Sequence, residues 1–427
     1  MANSSGRVAA SAEKEGGVYH PASRTRYEIR REEDALRLRW NGASVPLAFF
    51  IGSRRMGRSY AFPDHGYLYQ APVGYYANKA AWDMAPGYAL DRHPDFNRPI
   101  TRECLFCHAS GARAEPGTLN RIANWSKLDG IGCARCHADG AQHSAAPRRD
   151  NIVNPARLRG PARSAVCEQC HLSGEARVIM RGKSLHEFQP GQDLSDYLDV
   201  FVSRAAGGVR VAGHAEALAR SRCAQAEEMW CGACHNPHRP VAEYRQKCLG
   251  CHTVDQCPSP ERQTGDCARC HMPKARAYDG GHTVFTDHSI PRKPLTPRKP
   301  VAELIPYFAR PLPEAASQRN LGMAYASIGA LEKAWPLLRV AVQTKPRDAP
   351  LYAQLALLLE AGGRVEQAID FYRMSLEIDG GQDTAITRLG LLMAQRGHTA
   401  EARRLLDQAL HRNPRQPEVR RALDQLK

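Results

Sequence analysis

The sequence predicts a mixed fold. A small β-rich N-terminal part leads into a middle with little regular structure, and an all-α solenoid follows. Three observations predict it. The stretch "RYEIRREEDALRLRW" alternates apolar and polar positions around a charged break, which is the period of a half-buried hairpin. The pattern Cys-x-x-Cys-His recurs six times between residues 101 and 290. Beyond residue 315 cysteine disappears, and alanine and leucine recur at a 34-residue period.

Residues 1–100 contain no cysteine. After the hairpin, "SVPLAFFIG" and "YLYQAPVGYY" read as further short strands. We expect a β-rich cap over the cysteine-rich part, with no catalytic role.

The six motifs are Cys104/Cys107/His108, Cys133/Cys136/His137, Cys167/Cys170/His171, Cys231/Cys234/His235, Cys248/Cys251/His252 and Cys267/Cys270/His271, and they use twelve of the 14 cysteines. Zinc is the plainer alternative, since Cys-x-x-Cys is also half of a zinc ribbon. Zinc does not require a histidine directly after the second cysteine every time. Covalent haem does: two thiols add across the vinyl groups, and the adjacent histidine binds iron as proximal ligand. A disulfide framework leaves the six histidines unexplained. The motifs therefore point to haem c, six per chain. Cys223 and Cys257 lie outside the motifs, and either a disulfide or two buried thiols fits them.

Residues 291–313 hold seven prolines in 23 positions and read as a stiff, extended linker. Residues 314–427 repeat in register, at about 315–348, 349–382 and 383–416, with a polar capping helix at 416–427. Leu321, Leu355 and Leu389 correspond, as do Gly329, Gly363 and Gly397, and Ala334, Ala368 and Ala402. The pattern resembles the tetratricopeptide repeat, carried by Leu321-Gly322, Tyr325, Ala334, Ala341 and Pro346. A small alanine lets two antiparallel helices approach, and the glycine turns the chain between them. By that family's pattern a concave wall exposes Arg319, Met323, Ala353, Leu357, Thr387 and Leu391. It would receive a partner's peptide or dock on the chain's own middle domain.

The formal charge is +15. The basic residues are scattered. Six haems bring two propionates each, leaving about +3 with reduced iron or about +9 with ferric iron. Nucleic acid is accordingly not expected as a partner. There is no apolar stretch long enough to span a membrane. Haem attachment at this motif takes place outside the cytoplasm, so a periplasmic or otherwise exported location is expected. The start "MANSSGRVAASAEKEGG" has no apolar signal core.

Each haem with one histidine has an open iron face, and eleven histidines remain after the six proximal ones. His398 and His411 fall in the repeats. Three contexts stand out among the others. His143 follows the second motif by a short turn. His238 lies too near His235 to serve the same iron and should serve a neighbour. His282 and His288 follow the last motif.

Taken together, the chain resembles multihaem c-type cytochromes of the cytochrome c554-like, doubled Cys-x-x-Cys-His kind, fused to tetratricopeptide repeats. The resemblance rests on "FFIGSRRMGRSY", "GYLYQAP", "MAPGY", "RPITRECLFCH", "IGCARCH", "IVNPARL", "VCEQCHLSGEARV", "SRCAQ", "CGACHNPH", "CARCHMPK" and "TDHSI". It implies a haem-packed multihaem cytochrome c domain at 101–290. It also implies distal haem-iron roles for His20, His93, His143, His214, His238, His282 and His288, with His65 and His186 as non-ligands. Seven candidates for six haems imply a further motif and an export signal upstream of Met1. The function implied is electron transfer through mostly bis-histidine haems, with the repeats holding a redox partner protein and no catalytic residue assigned. The alternatives are a reductase of small nitrogen or sulfur oxyanions at one five-coordinate haem, and an assembly scaffold. No Cys-x-x-Cys-Lys variant of the kind pentahaem nitrite reductases use is present.

Overall fold

The computed structural model describes residues 4–53, 55–204, 207–225, 229–239, 243–257, 259–260, 264–291 and 303–426. The N-terminal part forms two antiparallel sheets. One is ordered Ser5–Arg7, Phe49–Ile51, Gly57–Asp64, Tyr67–Tyr76 and Ala81–Met84. The other runs Gly16–His20, Thr25–Glu32, Ala35–Trp40 and Ala43–Pro46. The expected hairpin is present, with Ile29 opposite Leu38 and Glu32 opposite Ala35. Alternation sends Tyr27, Ile29, Leu36 and Leu38 inward, where they share one core with Tyr60, Phe62, Tyr69 and Val73 of the other sheet. The β-rich part is thus a sandwich with its own core, more than the small cap read from the sequence.

The middle is built of single helical turns and two small sheets. Lys274–Arg276 pairs with Val284–Thr286. Ala176–Ile179 pairs with Leu198–Ser203. The third strand of that sheet, Leu304–Pro306, comes from the proline-rich segment. Within the stretch expected as a stiff, extended linker, Leu304–Pro306 is extended as a strand, and Leu304 is buried in an apolar cluster with Ala176, Val178 and Phe201. Residues 292–302 of the expected arm lie outside the described residues.

Three helix pairs follow, Glu314–Ser327 with Leu331–Ala341, Ala349–Ala361 with Val365–Ile378, and Asp383–Gln395 with Thr399–Arg412. Pro417–Gln425 closes the array. Gly329, Gly363 and Gly397 sit at φ of +78°, +74° and +75°, just past the first helix of each pair, where glycine avoids the Cβ penalty. Ala334, Ala368 and Ala402 are fully buried where the paired helices approach. At Gly322 an added Cβ would lie 2.6 Å from Leu338 Cδ2 and 2.8 Å from its Cγ. We expect Gly322→Ala to destabilise the repeats by about 1–3 kcal/mol through overpacking, measured by denaturation of the helical signal. Gly362→Ala, whose added Cβ would meet nothing closer than 3.4 Å, should be nearly silent.

The solenoid docks on the rest of the chain at both ends. At the first repeat, Arg319 Nε and Nη2 donate to Asp348 at 2.9 and 3.2 Å, and Nη1 donates to the Ile179 carbonyl at 2.7 Å. Asn320 donates to Asp199 at 3.1 Å. Met323, Ala324 and Tyr325 pack with Ala176, Val178, Phe201 and Leu304. At the far end Tyr67 donates to the His411 carbonyl at 2.7 Å, Tyr69 to Asn413 at 2.8 Å, and Arg415 to Asp64 at 2.7 Å. Of the two expectations for the concave wall, the first repeat shows docking on the chain's own middle domain, where Arg319 is buried. Ala353 and Leu391 are buried among the neighbouring helices.

Candidate haem-binding sites

Each motif begins on or beside a helix. These helices are Arg102–His108, Ala134–His137, Gly160–His171, Cys231–Cys234, Arg245–Leu249 and Cys267–His271, and Cys251 and His252 of the fifth motif lie just past theirs. Residues three and four apart share a helix face, so Cys i, Cys i+3 and His i+4 can all address one ring. A single backbone bond recurs: the amide of His137, His235 and His252 each donates to the carbonyl of its motif's first cysteine at 2.9 Å.

Cys104, Cys133, Cys251 and Cys270 are exposed, while the other eight motif cysteines are half-buried. Cys107, partner of Cys104, meets the Gln169 carbonyl at 3.8 Å. Burial raises the pKa of Cys136, partner of Cys133. Cys248 and Cys267, partners of Cys251 and Cys270, lie against each other, and burial first and then that contact push Cys248 up to about 11. In these four motifs one thiol thus faces inward and its partner faces solvent.

The middle domain brings three motif histidines, expected as proximal ligands, beside three of the expected distal ones. The rings of His137 and His238 have centroids 5.8 Å apart and planes 20° apart. For His171 and His214 the values are 5.3 Å and 28°, and for His235 and His288 they are 6.0 Å and 32°. With metal–imidazole bonds of about 2 Å, two imidazoles trans on one iron hold their centroids about 6 Å apart. His238 thus stands opposite the proximal histidine of a different motif. His214 and His288 also neighbour each other, at 4.6 Å.

Burial holds His108, His171, His235 and His288 below the ordinary histidine pKa, and pushes His214 down to about 3. A neutral ring keeps the lone pair that iron ligation needs. Several outer hydrogen bonds fix which nitrogen is free. His137 Nδ1 lies 2.7 Å from the Val153 carbonyl. His288 Nδ1 lies 3.0 Å from the Thr286 carbonyl, and His143 Nδ1 lies 2.9 Å from Asn151 Oδ1.

The other expected distal residues are placed differently. His20 is buried in the β-sandwich, with Nδ1 at 2.8 Å from Ser23 Oγ and Nε2 at 3.0 Å from the Ala89 carbonyl. His282 is engaged at both nitrogens, by Asp83 at 2.8 Å and Arg276 at 3.1 Å. His93 is exposed on a loop, where its amide donates to Asp91. His65 is exposed and pairs with Asp64.

Two features escaped the sequence reading. His186, set aside as a non-ligand, packs edge-on to Phe106 of the first motif at 5.3 Å, and its buried Nε2 has no hydrogen-bond partner. No spacing rule marks it. Thiols of different motifs also meet. Cys170 donates to Cys107, whose pKa falls to about 6, and Cys167 donates to Cys231, whose pKa is lowered too. Among the described residues no disulfide is formed, and no three His, Cys, Asp or Glu side chains converge on a bare metal ion. A haem iron takes its remaining ligands from the porphyrin, so histidine pairs are the arrangement that fits.

The family model for cytochrome c554 and c-prime matches residues 81–138, across the first two motifs. The model for the tetratricopeptide repeat matches residues 363–426. The chain joins a cytochrome c554-type domain to tetratricopeptide repeats. The cytochrome domain implies haem c as its cofactor, and the repeats suggest protein partners. Bound haem would supply one-electron redox chemistry, held by the thiols and histidines above.

The probable biofilm formation methyltransferase WspC of Pseudomonas putida is 30% identical over 155 residues, covering 35% of this chain and 36% of that protein. Its Pseudomonas aeruginosa counterpart is 28% identical over 156 residues, covering 35% and 37%. The chain therefore spans about a third of the length of these relatives. Among solved structures, MamA is 26% identical, covering 23% of this chain and 58% of that one, at a TM-score of 0.21. The tetratricopeptide domain of Arabidopsis OM64 is 19% identical, covering 26% and 93%, at a TM-score of 0.24. These partial likenesses carry no functional inference. No helix among the described residues is long and apolar enough to cross a membrane.

Proposed function

We propose that this chain is an exported multihaem c-type cytochrome that passes electrons through mostly bis-histidine haems. The observation that carries the reading is the set of three proximal–distal pairs at 5.3 to 6.0 Å. Filling both axial positions keeps iron low-spin, which suits outer-sphere transfer and leaves no place for a substrate. The repeats contribute a surface for a redox partner protein. Their first concave face is occupied by the chain's own strand Ala176–Ile179, so the partner is expected on the surfaces that remain open.

The test is an optical spectrum of the haem-loaded full chain with and without cyanide. A spectrum dominated by low-spin haem and little changed by cyanide is the expected result. Rapid conversion of most haems on adding cyanide would contradict the reading and favour a catalyst of small anions.

A further inference from the structure

We infer that the site built on Cys231, Cys234, His235 and His288 is the junction through which electrons pass between the other motifs, which fall into two groups. This rests on the electron-transfer reading above and adds to it the site through which the two groups exchange electrons.

The first three motifs interlock. Arg135 of the second lies over the Phe106 ring of the first, 4.1 Å from its centroid. The Cys107 thiol of the first meets the Gln169 carbonyl of the third at 3.8 Å. Gln169 in turn donates to the Arg135 carbonyl at 2.9 Å. The fifth and sixth motifs interlock separately, where Arg245 donates to the Gly265 carbonyl at 2.7 Å and lies 3.8 Å from the Cys267 thiol.

The fourth site touches both groups. Toward the first group, His288 lies 4.6 Å from His214, which in turn faces His171. On the same side, Asn236 Oδ1 accepts from the His238 amide at 2.9 Å. That turn sends His238, three residues past His235, to the second motif's His137. Toward the second group, Tyr244 hydroxyl lies 3.3 Å from His235 Nδ1. Tyr244 is also the cap of the helix Arg245–Leu249 that carries Cys248. His288 itself follows the strand Val284–Thr286, which pairs with the strand Lys274–Arg276 just after the sixth motif. Residues 230–239, with Tyr244 and His288, therefore join a cluster of three sites to an arm of two. Passage moves one electron at a time from a reduced site to an oxidised neighbour, and no bond forms or breaks.

The experiment injects electrons at the arm and reads the cluster. A ruthenium photosensitiser is attached at Lys274→Cys, an exposed position on the strand after the sixth motif. Freeze-quench electron paramagnetic resonance then follows each ferric signal in the haem-loaded full chain. Two proteins are compared: the labelled parent and one lacking the fourth attachment (Cys231→Ala with Cys234→Ala). Intact mass first establishes that the variant carries one haem fewer. A chain with no covalent haem at all would defeat the electron-transfer reading itself, a result distinct from failure of the junction. We expect loss of the fourth site to slow reduction of the second- and third-motif signals at least a hundredfold. Equal rates with and without the fourth site would overturn the junction. If the double cysteine variant does not fold, His288→Met serves instead. Methionine ligation raises the potential at that site, so electrons should collect there ahead of the cluster, and unchanged passage would again overturn the proposal.

Discussion

His238→Ala leaves one haem of the loaded protein high-spin and open to cyanide, while the others stay low-spin. His238 faces His137 at 5.8 Å with planes 20° apart, and the Asn236 turn holds it there. Alanine removes the sixth ligand without touching the thiols or the proximal ring. His137 keeps its bond to the Val153 carbonyl, so attachment and proximal ligation should survive. Cyanide binding at that haem should rise from undetectable to stoichiometric. His214→Ala should likewise open one haem, because its neighbour His288, 4.6 Å away, already faces His235. Magnetic circular dichroism or electron paramagnetic resonance reads both variants. A wholly low-spin spectrum for His238→Ala would remove that residue from the ligand set.

Arg319→Ala should cost about 3–5 kcal/mol, the usual penalty for stranding one partner of a buried ion pair. The Arg319 and Asp348 side chains are 8% and 1% exposed. The guanidinium also donates to the Ile179 carbonyl at 2.7 Å, so its loss weakens the seat of the first repeat on the cytochrome domain. Asp348 caps the next helix by accepting from the Leu351 amide at 3.2 Å, which keeps the carboxylate buried when arginine is gone. Adding Asp348→Ala to Arg319→Ala should recover part of the loss, a coupling that a double-mutant cycle measures. The outer pair Arg373–Glu401, at 3.0 Å and well exposed, should by contrast contribute no more than about 1 kcal/mol. Chemical denaturation of the loaded protein separates the two pairs.

Local patterns were the most legible part of this sequence. A hairpin needs only alternation and a turn, and Thr25–Glu32 with Ala35–Trp40 follow from "RYEIRREEDALRLRW" alone. The repeats declare themselves through short-range contacts, alanine between helices and glycine at a left-handed turn, both visible at a fixed period. "YLYQAPVGYY" corresponds to the strand Tyr67–Tyr76 residue for residue.

Contacts between distant segments were not legible. Nothing in the 34-residue pattern says that Arg319 will be buried against Ile179, or that Leu304 will complete a sheet with Leu198–Ser203. Arginine at an exposed family position looks solvated until a partner surface supplies its acceptors. The motif cysteines divide in the same way. Spacing treats both thiols of a pair alike, and only the packing of other segments leaves Cys251 and Cys270 exposed while Cys248 and Cys267 turn inward. The second histidines show this divide too. His238 could be assigned to another motif's iron because three residues of chain cannot reach around its own. His20 and His282 looked equally available, yet hydrogen bonds with Ser23, the Ala89 carbonyl, the Asp83 carboxylate and Arg276 engage their nitrogens. His186 carried no spacing signal, and only folding places it against Phe106.

The central claim is that the six motifs hold covalent haem. The most direct measurement is the intact mass of the full chain, made with the haem c maturation machinery and then denatured, with peptide mapping of the attachment points. Six haem increments should survive denaturation and acid–acetone extraction, one on each of the peptides carrying Cys104, Cys133, Cys167, Cys231, Cys248 and Cys267. An apoprotein mass after extraction, or haem on fewer than six of those peptides, would contradict it.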